Sequence, residues 1–224
     1  MEKSDFKDAK RQLAGLTAPL ERRAIQFCVQ KLPAWVNSDH LSLLGFLALV
    51  GAGALYSISK SNPVPYLTLV NVCLLLNWFG DSLDGSLARY RQKQRPRYGF
   101  YVDHIIDTIG FFFLIGGMAV SGYMSERVAF GLLTVYYMLM INSNLSAYTL
   151  SKFNVSYGLF GPTELRIVLA IGNFFLITHP FSTILGHKYL LYDVGGVCSI
   201  IGMGITFLIA VLKNIVTLYN LERV

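Results

Sequence analysis

Residues 81–107 read DSLDGSLARYRQKQRPRYGFYVDHIID. Four aspartates, Asp81, Asp84, Asp103 and Asp107, frame a short basic loop in this stretch. Asp81 and Asp84 stand at i, i+3 and Asp103 and Asp107 at i, i+4, so each pair shares one face of a helix. The flanks predict helices: residues 66–88 and 101–121 are apolar runs, and crossing a hydrocarbon core takes about 20 residues in that form. A carboxylate at the centre of a membrane helix costs about 2.5–3.5 kcal/mol on insertion scales, which makes an intramembrane acid a functional candidate by default. The connection over 90–98 is short. It makes the two spans antiparallel neighbours and brings all four carboxylates to one end, in a single cleft.

Outward from this pair, further apolar spans fall at 40–59, 128–150, 162–179 and 195–216, six in all. The chain of 224 residues is 54% hydrophobic and 14% charged, with a mean hydropathy of +0.49. Soluble domains carry roughly 25% charged residues. Disorder and a disulfide-stapled secreted scaffold are therefore excluded, and the composition argues against an ordinary soluble globule. Cys28, Cys73 and Cys198 are odd in number and far apart, so no disulfide framework or zinc cluster is legible. The expected fold is all-α, a polytopic membrane protein of six transmembrane helices. Residues 1–36 form an N-terminal arm and 37–224 the transmembrane domain. The first twelve residues are polar and charged, unlike a signal peptide.

Charge sets the expected orientation. With both termini in the cytoplasm, sixteen of the nineteen Lys and Arg face inward; only Lys60, Arg127 and Lys188 face out. That split obeys the positive-inside rule. The net charge of +6 then reads as attraction to anionic lipid, not to nucleic acid. In the arm, Leu13, Leu16, Leu20, Ala24 and Phe27 recur at steps of three and four. Pro19 and Pro33 suit the ends of a helix over 19–31. This helix is expected to lie on the inner membrane surface, or to pack on the bundle.

Four clustered carboxylates cannot all stay ionised without counter-charge. Two divalent cations, Mg²⁺ or Mn²⁺, would supply it, since hard ions prefer oxygen ligands and a pair of metals suits phosphoryl chemistry. The plainer alternative pairs the aspartates with Arg89, Arg91 or other loop cations. Gly85 and Ala88, each four residues after an aspartate, leave a small-residue strip where a flat group could approach the backbone; close helix packing would use the same residues. Arg89 offers a planar cation for phosphate oxygens.

The pattern Asp81-x2-Asp84-Gly85-x2-Ala88-Arg89-x9-Gly99-x3-Asp103-x3-Asp107 resembles the signature of the CDP-alcohol phosphatidyltransferase family at all eight positions. Upstream, Asn37-Ser38-Asp39-His40-Leu41-Ser42-x2-Gly45 loosely resembles that family's segment before its first span, with Ser38 where proline is usual and Ser42 where threonine is. The resemblance implies an enzyme that transfers a substituted phosphate from a CDP-linked donor to an alcohol and releases CMP, in phospholipid biosynthesis. It implies that Asp81, Asp84, Asp103 and Asp107 hold the metals, that Asp107 is the catalytic base, and that Asp81, Gly85, Ala88 and Arg89 bind the CDP head. A homodimer is implied as well.

The acceptor is less legible. Asn142-Ser143-Asn144, Lys152 and Gly161-Pro162-Thr163-Glu164-Leu165-Arg166 make the inner ends of spans 4 and 5 polar. Lys152, Glu164 and Arg166 are the candidate acceptor residues, although Glu164 also suits ordinary capping at a helix start. The short six-span chain points to CDP-diacylglycerol as donor, as in prokaryotic members acting at an inner or plasma membrane. The alternative is a CDP-amino-alcohol donor with a diacylglycerol acceptor. A divalent-cation transporter or an inactive membrane scaffold would be readings of another class. His104 adjoins Asp103 but points about 100° away on a helix of 3.6 residues per turn, so it is read as a packing residue. Gly116-Gly117, Gly195, Gly196, Gly202 and Gly204 are expected at close-packed helix faces.

Overall fold

The computed structural model describes residues 18–150 and 162–223. They form seven helices: α1 (Ala18–Lys31), α2 (Ser38–Ile58), α3 (Pro63–Tyr90), α4 (Pro96–Ser121), α5 (Glu126–Leu150), α6 (Pro162–Thr178) and α7 (Leu191–Leu221). Five of these, α2, α3, α4, α5 and α7, are long and apolar enough to cross a membrane. α6 has 17 residues and runs beside α3. Proline opens α3, α4 and α6 at a position whose missing N–H costs a helix nothing. Asn37 caps α2 in a reciprocal box with His40. Gly122, at φ 74, ends α4 in the left-handed region that favours glycine.

The core is the crossing of α2 with α3 and α4. Gly53 on α2 faces the backbone of Phe113 and Gly117 on α4, and a Cβ on either glycine would overlap that backbone. On the other side of α2, a Cβ on Gly80 would lie 2.5 Å from the Leu41 carbonyl oxygen. Backbones approach this closely only through small residues. Of the glycines expected at packed faces, Gly117 and Gly196 are packed, whereas Gly116, Gly195, Gly202 and Gly204 have open space where a Cβ would stand. The long stretch of α7 after its first turns is exposed, which removes the constraint that would demand glycine there.

α5 and α7 pack on each other, and their buried residues lie near their starts: Ala129 and Leu132 on α5, Tyr192 and Gly196 on α7. A polar network ties this end together. Tyr56 and Tyr192 both donate to Asn173 Oδ1 at 2.6 Å, and Asn173 donates to Asn71 Oδ1 at 2.7 Å.

Two local findings add to the sequence reading. α1 does not bury the stripe read from the sequence. Leu20 and Phe27 are 73% and 65% exposed, while Glu21, Ile25 and Val29 face inward. Ile25, Val29 and Val36 join Leu41, Leu83 and Leu87 in a second apolar cluster, so the helix presents one apolar face to the bundle and leaves another outside. Leu13 and Leu16 lie outside the described residues. The connection after α6 also holds a hairpin, β1 (Phe181–Ile184) paired antiparallel with β2 (His187–Leu190). Leu185 and Gly186, at φ 51 and 81, make the two-residue turn that matches strand twist.

Candidate active site

The four aspartates converge. Asp81 and Asp84 project from the last turns of α3, and Asp103 and Asp107 from the first turns of α4. All four line one small void with Ser42 and Asn77. Asp81, Asp103 and Asp107 each bring a carboxylate oxygen within 4.8 Å of the others. Asp84 is turned toward α2: its Oδ2 accepts from Ser42 Oγ at 2.6 Å and its Oδ1 from the Gly85 N–H. Ser42 thus orients one carboxylate of the cluster, a role that its place upstream of the first span had not disclosed.

The guanidinium in this cluster comes from α6. Arg166 Nη2 lies 2.7 Å from Asp81 Oδ2, and its Nε donates to Asn77 Oδ1 at 2.7 Å. Asn77 is buried, and its amide nitrogen donates to the Gly45 carbonyl. It therefore holds α2 with one end of its side chain and Arg166 with the other. Sequence reading missed it; the signal was an amide one helical turn before Asp81, in the middle of an apolar run. Arg89, Arg91 and Arg95 make other contacts. Arg91 donates to the carbonyls of Leu32, Pro33, Ala34 and Val36 and so fixes the α1–α2 connection. Arg89 donates to Ser86 Oγ. Arg95 pairs with Asp39 and stacks on Tyr98.

A cavity of about 1680 Å³ opens beside the cluster. Its polar end is lined by the four aspartates with Gly85, Ala88, Arg89 and Arg166. Gly85 and Gly99 leave it room: a Cβ on Gly85 would meet only the mobile end of Arg89, and one on Gly99 would meet nothing. Past Phe111 and Leu114 the lining becomes apolar and continues to Tyr192. Ser143 and Asn144 face this cavity from α5, and Asn144 Oδ1 is buried without a hydrogen-bond partner. His104 stacks on Phe100 with ring centroids 4.1 Å apart, in keeping with a packing role. Among the candidate acceptor residues, Arg166 lines the cavity, Glu164 is buried but does not, and Lys152 lies outside the described residues.

The donor set fits a divalent cation. The ligands are carboxylate oxygens only, three of them already within reach of one centre. Such a site, next to a cavity polar at one end and apolar along its length, is built to hold a charged head group whose remainder is apolar.

A family model described as CDP-alcohol phosphatidyltransferase matches residues 35–215. The chain belongs to that family. It is accordingly an integral membrane enzyme of phospholipid biosynthesis, a transferase of substituted phosphate groups acting on CDP-alcohols. The fold agrees: it is similar to a solved structure from Mycobacterium tuberculosis, phosphatidylinositol phosphate synthase (PgsA1) with CDP-DAG bound. The TM-score is 0.54 at 16% identity, covering 91% of this chain and 94% of that one. Among curated protein sequences, none matches this chain.

Proposed function

We propose that the protein transfers a phosphatidyl group from CDP-diacylglycerol to an alcohol, with release of CMP. The observation that carries this reading is the meeting of Asp81, Asp103 and Asp107 within 4.8 Å at the polar end of a long apolar cavity. In the reaction the acceptor oxygen forms a bond to the phosphorus that bears the diacylglycerol. The bond from that phosphorus to the CMP oxygen breaks, and the acceptor proton is taken up. Asp107 is the base that takes it. Asp81, Asp84, Asp103 and Asp107 would hold two divalent cations, Mg²⁺ or Mn²⁺, whose charge would neutralise that of the pyrophosphate. Gly85 and Ala88 admit the flat nucleotide against α3, and Arg89 meets its phosphates. Arg166 holds Asp81 in place, and Ser42 holds Asp84. The apolar length of the cavity receives the acyl chains.

The catalytic domain spans residues 37–224, with 1–36 as an arm on the membrane surface. The carboxylate end faces the cytoplasm, because that orientation puts sixteen of nineteen Lys and Arg inside. The enzyme is a homodimer in the inner or plasma membrane of a prokaryote. Lys152 and Arg166 are the residues assigned to the acceptor side, and Glu164, which does not line the cavity, is left to the start of α6.

The test is direct. Purified protein is given CDP-diacylglycerol, Mg²⁺ or Mn²⁺ and a panel of alcohols, and CMP and the lipid product are followed. CMP release that depends on both metal and alcohol supports the reading. Release only from a CDP-amino-alcohol with diacylglycerol would transfer the assignment to the reverse donor, and no release from either would end it.

A further inference from the structure

Glu21 is a carboxylate from the surface helix α1 that is buried in the bundle, at 9% exposure. Its Oε1 accepts three hydrogen bonds: from Trp78 Nε1 at 3.1 Å, Ser82 Oγ at 3.2 Å and Thr163 Oγ1 at 2.8 Å. Two of these donors are on α3 and one is on the first turn of α6. Their placement mirrors that of the Arg166 contacts. On α3, Asn77 and Asp81 are i, i+4 and hold Arg166; Trp78 and Ser82, each one residue further on, are i, i+4 and hold Glu21. On α6, Thr163 and Arg166 are i, i+3 and share a face. The start of α6 is therefore fastened to α3 twice, directly through Arg166 and indirectly through Glu21. A charge-assisted hydrogen bond is stronger than a neutral one, so the carboxylate is the firmer tie that a small hydroxyl such as Thr163 can reach.

We propose that Glu21 is a positioning residue of the active site. Bridging α3 to Thr163, it sets the first turn of α6 so that Arg166 stays on Asp81. Glu21 does not line the cavity; its effect passes through Arg166. The surface helix thereby becomes part of the catalytic framework, with its inward face against α3 and Leu20 and Phe27 on its outward face. The inference rests on the transferase reading of the carboxylate cluster, and the test separates the two.

Full-length protein in lipid nanodiscs is prepared as wild type, Glu21→Ala, Glu21→Gln, Arg166→Ala and the Glu21→Ala, Arg166→Ala double variant. Hydrogen exchange reads the tether without any turnover. The amides of the first two turns of α6 should exchange faster in Glu21→Ala, those of α2 and α4 should not change, and Glu21→Gln, which keeps an oxygen for the three donors, should restore most of the protection. CMP release reads the route. Glu21→Ala should lower kcat about tenfold, equivalent to about 1.4 kcal/mol, but by less than about twofold once Arg166 is already alanine. Should Arg166→Ala be inactive, Arg166→Lys takes its place in the cycle. Unchanged exchange in α6, or losses at Glu21 and Arg166 that add in full, would overturn the proposal. If the wild type releases no CMP from any donor, the transferase reading fails, and the exchange arm still decides whether Glu21 holds α6.

Discussion

Arg166 reaches from the first turns of α6 to place Nη2 2.7 Å from Oδ2 of Asp81, the first residue of the acidic signature. Both side chains are largely withdrawn from solvent, at 15% and 13% exposure. A buried ion pair is weak evidence of stability, but removing one member leaves the other charge uncompensated. Arg166→Ala should lower kcat for CMP release by roughly tenfold to a hundredfold, about 1.4–2.8 kcal/mol of transition-state stabilisation. Arg166→Lys should recover part of the loss, because an ammonium cannot serve Asp81 and Asn77 together as the planar fork does. Steady-state kinetics of the two variants check this; full recovery in Arg166→Lys would show that the second contact, to Asn77, is immaterial.

Asp107→Asn should reduce CMP release by about 10²–10⁴-fold, the usual worth of a positioned general base. Asp81→Asn should do so comparably, through loss of a ligand. Asp107→Asn should leave the thermal midpoint little changed, since it removes a charge from a cluster of like sign, whereas Asp81→Asn should lower it by leaving Arg166 without its partner. Turnover near the wild-type rate in either variant contradicts the assigned roles.

Chelation should stop the reaction, and Mg²⁺ or Mn²⁺ should restore it in proportion to occupancy. Ca²⁺ should restore less, because it favours 6–8 looser ligands at about 2.3–2.6 Å over a compact octahedral set. A titration of CMP release against each ion after dialysis with EDTA measures this. Full activity persisting in EDTA would remove the metals from the mechanism.

Gly117→Ala should destabilise the fold by about 1–3 kcal/mol, the range for overpacking, because its new methyl would overlap the Gly53 backbone. Gly116→Ala on the same helix should be neutral, since nothing lies within 4 Å of its Cβ position. Thermal unfolding in detergent compares the pair, and equal midpoints would show that α2 and α4 part readily.

The spans and the carboxylate cleft were legible because each obeys a strong rule: apolar length for the first, the cost of a charge in lipid for the second. The helix ends at Pro63, Pro96 and Pro162 lie within a few residues of the apolar limits for the same reason that proline opens a helix. Partner choice was not legible. Periodicity could not tell which apolar face of α1 meets the bundle, since Leu20 and Ile25 are equally apolar and only the neighbouring α3 decides between them. The residue that answers Asp81 was sought in the nearby loop, but it stands 85 positions away on α6, and sequence distance carries no information about that. Asn77 was overlooked although an amide inside an apolar run was a signal, and Glu21 because it is an unremarkable polar residue until its partners are known. The hairpin after α6 rests on a left-handed Leu185, a residue type that rarely announces a turn.

Among the described residues, those buried on α5 and α7 lie near the helix starts, so this bundle is sewn most firmly at one end. The seam is the Tyr56–Asn173–Tyr192 knot. Toward the other end Asn214 on α7 still donates to Asn142 on α5, at 3.4 Å. Under the proposed reaction a lipid donor enters between these two helices at their more lightly held end, while the stitched end keeps them in register.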